Sequence, residues 1–190
     1  SQWRDWNEKL EEIVKSAPSW DIGFILGVPA WIQLLLEMII ERYQVKNIHE
    51  IWPNLAVYIH GGVSFEPYKK GFGKLLGKPI HYVETYLASE GFIAFQHTPE
   101  SKGMRMILNN GIFYEFVPAE EFFNEKPTRL SIEQVELGKN YALIINSNAG
   151  LWGYSIGDTV KFVSLNPYRV VVSGRIKHFI SAFGEHVIAE

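Results

Sequence analysis

Residues 54–91, NLAVYIHGGVSFEPYKKGFGKLLGKPIHYVETYLASEG, decide the fold. An apolar run at 55–59 ends in Gly61 and Gly62, a helical pattern follows over 67–76, and a second apolar run covers 80–86. Two parallel strands need a crossover long enough to return the chain, and a helix supplies it, so this spacing predicts a strand–helix–strand parallel unit. Gly61-Gly62-Val63-Ser64 is then a strand-to-helix turn where missing side chains let backbone approach a base or a phosphate. No Gly-Lys-Ser/Thr follows, so it is not a Walker loop.

Upstream, Trp6, Leu10, Ile13 and Val14 recur at helical spacing, predicting an amphipathic helix over 3–16 that Pro18 ends. The stretch 22–40 is the longest apolar one, but Gly23, Gly27, Pro29, Gln33 and Glu37 interrupt it, which argues against a membrane span. It reads as a loop followed by a helix over 31–43, buried on most sides, with Pro29 at its entry. Downstream, runs at 92–96, 104–108 and 112–117 read as strands, and Asn109-Asn110-Gly111 as a hairpin turn between the last two. Runs at 141–146, 159–165 and 168–173 predict a smaller antiparallel sheet or barrel. The expected class is α/β: a mixed sheet flanked by helices over 1–118, an antiparallel part over 119–175, and a hinge opening a further domain over 176–190.

The 190 residues are 47% apolar, enough for a normal core, and disorder is not expected. Eighteen basic and 21 acidic residues give a net charge of −3 with no basic tract, so no nucleic-acid partner is expected. The absence of cysteine excludes disulfides, thiolate catalysis and thiolate metal sites, and is compatible with a cytoplasmic setting. The first residues lack a signal peptide's apolar core, and no membrane partner is expected. Six histidines, none in a His-Glu-x-x-His pattern, give no metal-ligand spacing.

Three ordered segments carry the chemistry: Thr85-Tyr86-Leu87-Ala88-Ser89-Glu90-Gly91, Tyr154-Ser155-Ile156-Gly157-Asp158, and Gly174-Arg175-Ile176-Lys177. Glu90 follows a predicted strand, where open α/β sheets bind ligands, and a carboxylate there suits Mg²⁺ beside substrate phosphates. Thr85 and Ser89 add hydroxyls for phosphate oxygen, and Tyr86 an aromatic face. Asp158, in a turn entering a strand, suits a vicinal diol that donates two hydrogen bonds. Arg175 reinforces sugar or phosphate, and Lys177 stands in a polar step where a hinge fits. Taken singly, Glu90 reads as a solvated turn glutamate, Asp158 as an ordinary Gly-Asp turn and Arg175 as a surface arginine.

As a set, these residues resemble the adenylate-forming acyl acid amido synthetases of the auxin-responsive, or Gretchen Hagen, family. NLAVYIHGGVSFEPY, YLASEG, GIFYEFVP, NAGLWGYSIGD and SGRIKHFISAFGE carry the resemblance. It implies ATP- and Mg²⁺-dependent activation of a small carboxylic acid and transfer of the acyl group to an amino acid. It implies Glu90 as the catalytic residue and metal ligand, with Tyr86, Ser89 and their neighbours on AMP, Asp158 on ribose, Arg175 before the hinge and Lys177 near it. Gly62, Val63 and Thr85 complete the expected nucleotide contacts. Ser155 stands where arginine is common in the family, and Ala88 where serine is frequent. The Ser/Thr/Gly-rich loop that holds the triphosphate is not among these residues, so the chain reads as an internal piece that is inactive alone. Two other readings stand beside this one: a non-catalytic nucleotide-binding module, and a ligase that passes the acyl group to coenzyme A.

Overall fold

The computed structural model describes residues 6–98 and 100–177. They fall into two compact units that divide between Thr85 and Tyr86. In the first, α1 (Trp6–Ser16) and the short strand β1 (Phe24–Leu26) lead to α2 (Pro29–Tyr43), then β2 (Val57–Gly61), α3 (Glu66–Leu75) and β3 (His81–Ala88). β2 pairs in parallel with β1 on one side and with the His81–Thr85 part of β3 on the other. The strand–helix–strand expectation is therefore met.

Apolar residues from α1, α2, α3 and β2 meet in one core, including Val14, Leu36, Ile39, Tyr58 and Phe72. The rings of Tyr58 on β2 and Phe72 on α3 stack 4.8 Å apart, which fixes the helix over the strand. Trp52 is buried there, and its Nε1 donates to the carbonyl of Ala17 at 2.9 Å. Two expectations need correction. The segment before Pro29 is not all loop, because Gly23 O accepts from the amides of Ala56 and Val57 and starts β1 alongside β2. Nor is α2 buried on most sides: Leu36 and Ile39 are buried, whereas Trp31 and Leu34 are exposed. Its apolar composition does not reveal which face packs.

The second unit holds β4 (Gly91–Phe95), β5 (Met104–Met106), β6 (Ile112–Pro118), β7 (Asn140–Ser147), β8 (Tyr154–Leu165) and β9 (Tyr168–Arg175). They lie in the order β4-β5-β9-β8-β7-β6, each antiparallel to its neighbours. Ile93, Met104, Phe116, Tyr141, Leu143, Phe162 and Val170 build its core. The expected 109–111 hairpin is not formed. Gly111 has the positive φ that such a turn needs, at 80°, but β5 pairs with β4 and β9 while β6 pairs along seven residues of β7. The boundary expected at 118/119 falls at the end of β6, inside this unit. Of the expected hinge segment 176–190, only Ile176 and Lys177 are among the described residues.

Candidate functional site

Local backbone irregularity in the second unit sets Asp158. Ala142 of β7 faces Thr159 and Ile144 faces Ser155, so Leu143 is opposed by the three residues Ile156, Gly157 and Asp158. Gly157 has φ 84°, a conformation that glycine adopts without strain, and its amide donates to Ser155 Oγ at 3.2 Å. Asp158 thus sits in an irregularity within β8 rather than in a turn before the strand. On the other side, Val160 faces Val172 but Thr159 faces Gly174, so Ser173 is an extra residue in β9. The bulge brings Arg175 opposite Asp158.

The Arg175 Nε donates to Asp158 Oδ1 at 2.9 Å, and its Nη1 donates to the Ile156 carbonyl at 3.3 Å. The Tyr86 hydroxyl donates to Asp158 Oδ2 at 2.8 Å. One residue from each of the three sequence segments is therefore joined at a single carboxylate. The Asp158 side chain is 12% exposed and that of Arg175 62%, so the pair is open on the arginine side. Tyr86 is buried, which corrects the expectation that it offers an aromatic face. Burial, and then the charge of Asp158, hold its phenol well above the usual range, so it remains a donor.

Ser89 and Glu90 turn the chain from β3 into β4. Ser89 is exposed and Glu90 half-buried, and Glu90 Oε1 accepts from the Tyr154 hydroxyl at 3.2 Å. Sequence reasoning gives Tyr154 no role of its own; its place at the head of the Tyr154–Asp158 motif, where β8 starts, is the signal that could have found it. The loop before it is held from β6 and β7. Gly153 N donates to Asn146 Oδ1 at 2.6 Å, and Asn146 Nδ2 and Arg129 Nη1 both donate to Glu115 Oε2, at 2.9 and 3.1 Å. Lys177 is exposed at the last described position.

Gly62, Val63 and Thr85 belong to the first unit. Gly62 has φ 81°, Val63 is exposed, and Thr85 Oγ1 donates to the His60 carbonyl at 3.1 Å. The sequence singles out Gly62, yet Gly61 is the more constrained: a Cβ there would lie 2.5 Å from the Thr85 carbonyl oxygen. Among the described residues no group of three or more His, Cys, Asp or Glu forms a metal cage.

The family model described as the GH3 family central domain matches residues 105–175. Jasmonoyl–L-amino acid synthetase JAR4 of Nicotiana attenuata is 32% identical over 120 residues, 60% of this chain and 21% of that protein. Indole-3-acetic acid-amido synthetase GH3.3 of Arabidopsis thaliana is 31% identical over 121 residues, 60% of this chain and 20% of that protein. The chain thus spans about a fifth of the length of these curated relatives. Among solved structures, the GH3.15 acyl acid amido synthetase superposes with a TM-score of 0.53 at 16% identity, covering 68% of this chain and 23% of that one. An open conformation of 2-hydroxyisobutyryl-CoA ligase gives a TM-score of 0.62 at 13% identity, covering 90% and 40%. At such identities these two bear on the fold alone, which the chain shares with them. Residues 105–175 match the GH3 family central domain, and over 60% of its length the chain is similar to these two synthetases.

Proposed function

We propose that this chain is the nucleotide-holding part of an ATP-dependent ligase that joins a small carboxylic acid to an amino acid. The observation that carries the reading is the meeting of Tyr86, Asp158 and Arg175, from three distant segments, at one carboxylate. The names of the relatives, which pair an acid with an amino acid or an amide, support it.

In this reading the ribose hydroxyls donate to Asp158, whose two oxygens each keep a lone pair after accepting from Tyr86 and Arg175. The exposed face of the Arg175 guanidinium is directed at sugar or phosphate oxygen. Ser89 completes the contacts proposed for the second unit, and Gly62, Val63 and Thr85 are proposed as nucleotide-binding residues of the first. Mg²⁺ is commonly bound by one or two carboxylates together with substrate phosphates and water, and the half-buried Glu90 carboxylate fits that donor set. Bound there, the ion would neutralise charge on the phosphates. A substrate carboxylate oxygen attacks the α-phosphorus in line, the bond to pyrophosphate breaks, and an acyl adenylate forms. An amine then attacks the acyl carbonyl, AMP leaves, and the amine proton passes to solvent. The chain's contribution to both steps is positioning. Lys177 is proposed as part of a hinge into a C-terminal domain, and the setting as cytoplasmic. No helix among the described residues is long and apolar enough to cross a membrane.

The test is release of pyrophosphate from ATP by the protein across a panel of aryl and alkyl carboxylic acids, with amino acids or coenzyme A as acceptors. Acid-dependent release followed by amide formation is expected. Nucleotide binding without release for any acid would favour the binding module, and thioester formation the coenzyme A ligase.

A further inference from the structure

We infer that Tyr86 is a positioning residue that acts through Asp158 to select a ribose over a deoxyribose nucleotide. The inference rests on the ribose role proposed for Asp158. A carboxylate on a short side chain is free to rotate about its last bond, and a diol reads it well only when both oxygens face outward together. Here that rotation is stopped from two sides: Tyr86 Oη donates to Oδ2 at 2.8 Å and Arg175 Nε to Oδ1 at 2.9 Å. The two donors differ in kind. Arg175 is on a largely exposed side chain at the end of β9, whereas Tyr86 is buried in the core with Ile93, Met104 and Phe116. The rigid anchor of the pair is therefore the phenol.

The remaining lone pairs on the two oxygens are left for incoming donors, and two hydroxyls on adjacent carbons match two oxygens on one carbon. A nucleotide lacking those hydroxyls gains nothing from the anchored geometry. The Tyr86 hydroxyl acts on Asp158 and not on the nucleotide, so the effect of removing it is confined to ligands that carry the diol.

The experiment is calorimetric titration of the wild-type protein and of Tyr86→Phe, Tyr86→His and Asp158→Ala with AMP and with 2′,3′-dideoxy-AMP, with thermal melting as a control on folding. For Tyr86→Phe, AMP binding should weaken by about tenfold, the value of one hydrogen bond to a charged group, while dideoxy-AMP changes by less than about twofold. Tyr86→His, which keeps a ring donor, should recover part of the preference for AMP and supplies the same comparison if the phenylalanine variant does not fold. An unchanged preference in Tyr86→Phe, or equal loss for both ligands, would overturn the inference while leaving the Asp158 role intact. A wild-type protein with no preference for AMP over the dideoxy ligand, or an Asp158→Ala variant that retains it, would instead overturn the ribose reading itself.

Discussion

Asp158 has one neutral donor and one cationic donor, and the distinction predicts how its variants behave. Asp158→Asn keeps the shape but removes the charge, turning the contact with Arg175 from an ion pair into a hydrogen bond to a neutral group. Bonds to charged groups contribute about 1.5–3 kcal/mol each, so AMP affinity should fall by about one to two powers of ten in calorimetry. Glu90 makes a different prediction, since its proposed partner is the ion and not the nucleoside. Glu90→Gln should leave AMP binding without Mg²⁺ nearly unchanged and abolish the gain in ATP affinity that added Mg²⁺ gives, read by titrating ATP at rising Mg²⁺. Equal loss under both conditions would place Glu90 in the structural role suggested by its contact with Tyr154.

Among the strands, the ends of β2 and β3 are where side-chain size is most restricted. Gly61 is partnered with Thr85 across the parallel ladder, and a Cβ on Gly61 would meet the Thr85 carbonyl oxygen. Backbone has to move to admit it, so Gly61→Ala should cost about 1–3 kcal/mol, measured as a lower midpoint in urea unfolding. Most of these elements are legible in the amino-acid sequence, because alternation and helical spacing are local properties of the chain. The run ending at Ile59 and the pattern beginning at Pro67 announce β2 and α3 in that way. Pairing is less legible. β5 lies beside β9, and nothing in Met104–Met106 names a partner some sixty residues on, so the local turn signal at Gly111 points to the wrong neighbour. β1 leaves no signal because three residues are too few for a period to show. The site divides likewise: its three segments are readable as motifs, whereas the bond from Tyr86 to Asp158 depends on burial that no motif encodes.

Global stability should depend on pH through His60. It is 5% exposed, and its Nδ1 has no hydrogen-bond partner. Burial holds its pKa below the ordinary value near 6.5. Below that value the unfolded chain takes up a proton that the folded state resists, so stability is full above about pH 6.5, falls as pH drops and levels off below the folded pKa. Glu84, aligned with His60 on β3, acts oppositely at lower pH, because burial and then Glu66 raise its pKa and its protonated form is favoured by folding. Comparing melting temperatures of wild type and His60→Leu between about pH 7.5 and 5 isolates the histidine. The variant should show the flatter profile, and parallel curves would assign the acid sensitivity elsewhere.

The bulge at Ser173 also makes the chain unequally tolerant of changes in its length. Val172 and Arg175 are three positions apart, an odd spacing that in a regular strand would put them on opposite faces, yet they are aligned with Val160 and Asp158, which share one face. Ser173 is in effect a spare residue. Loss of one residue there leaves a regular strand that still delivers the guanidinium to Asp158, whereas gain of one carries it out of register with Asp158. Descendants of this sequence can shorten β9 and keep the ion pair, but they cannot lengthen it by a single step.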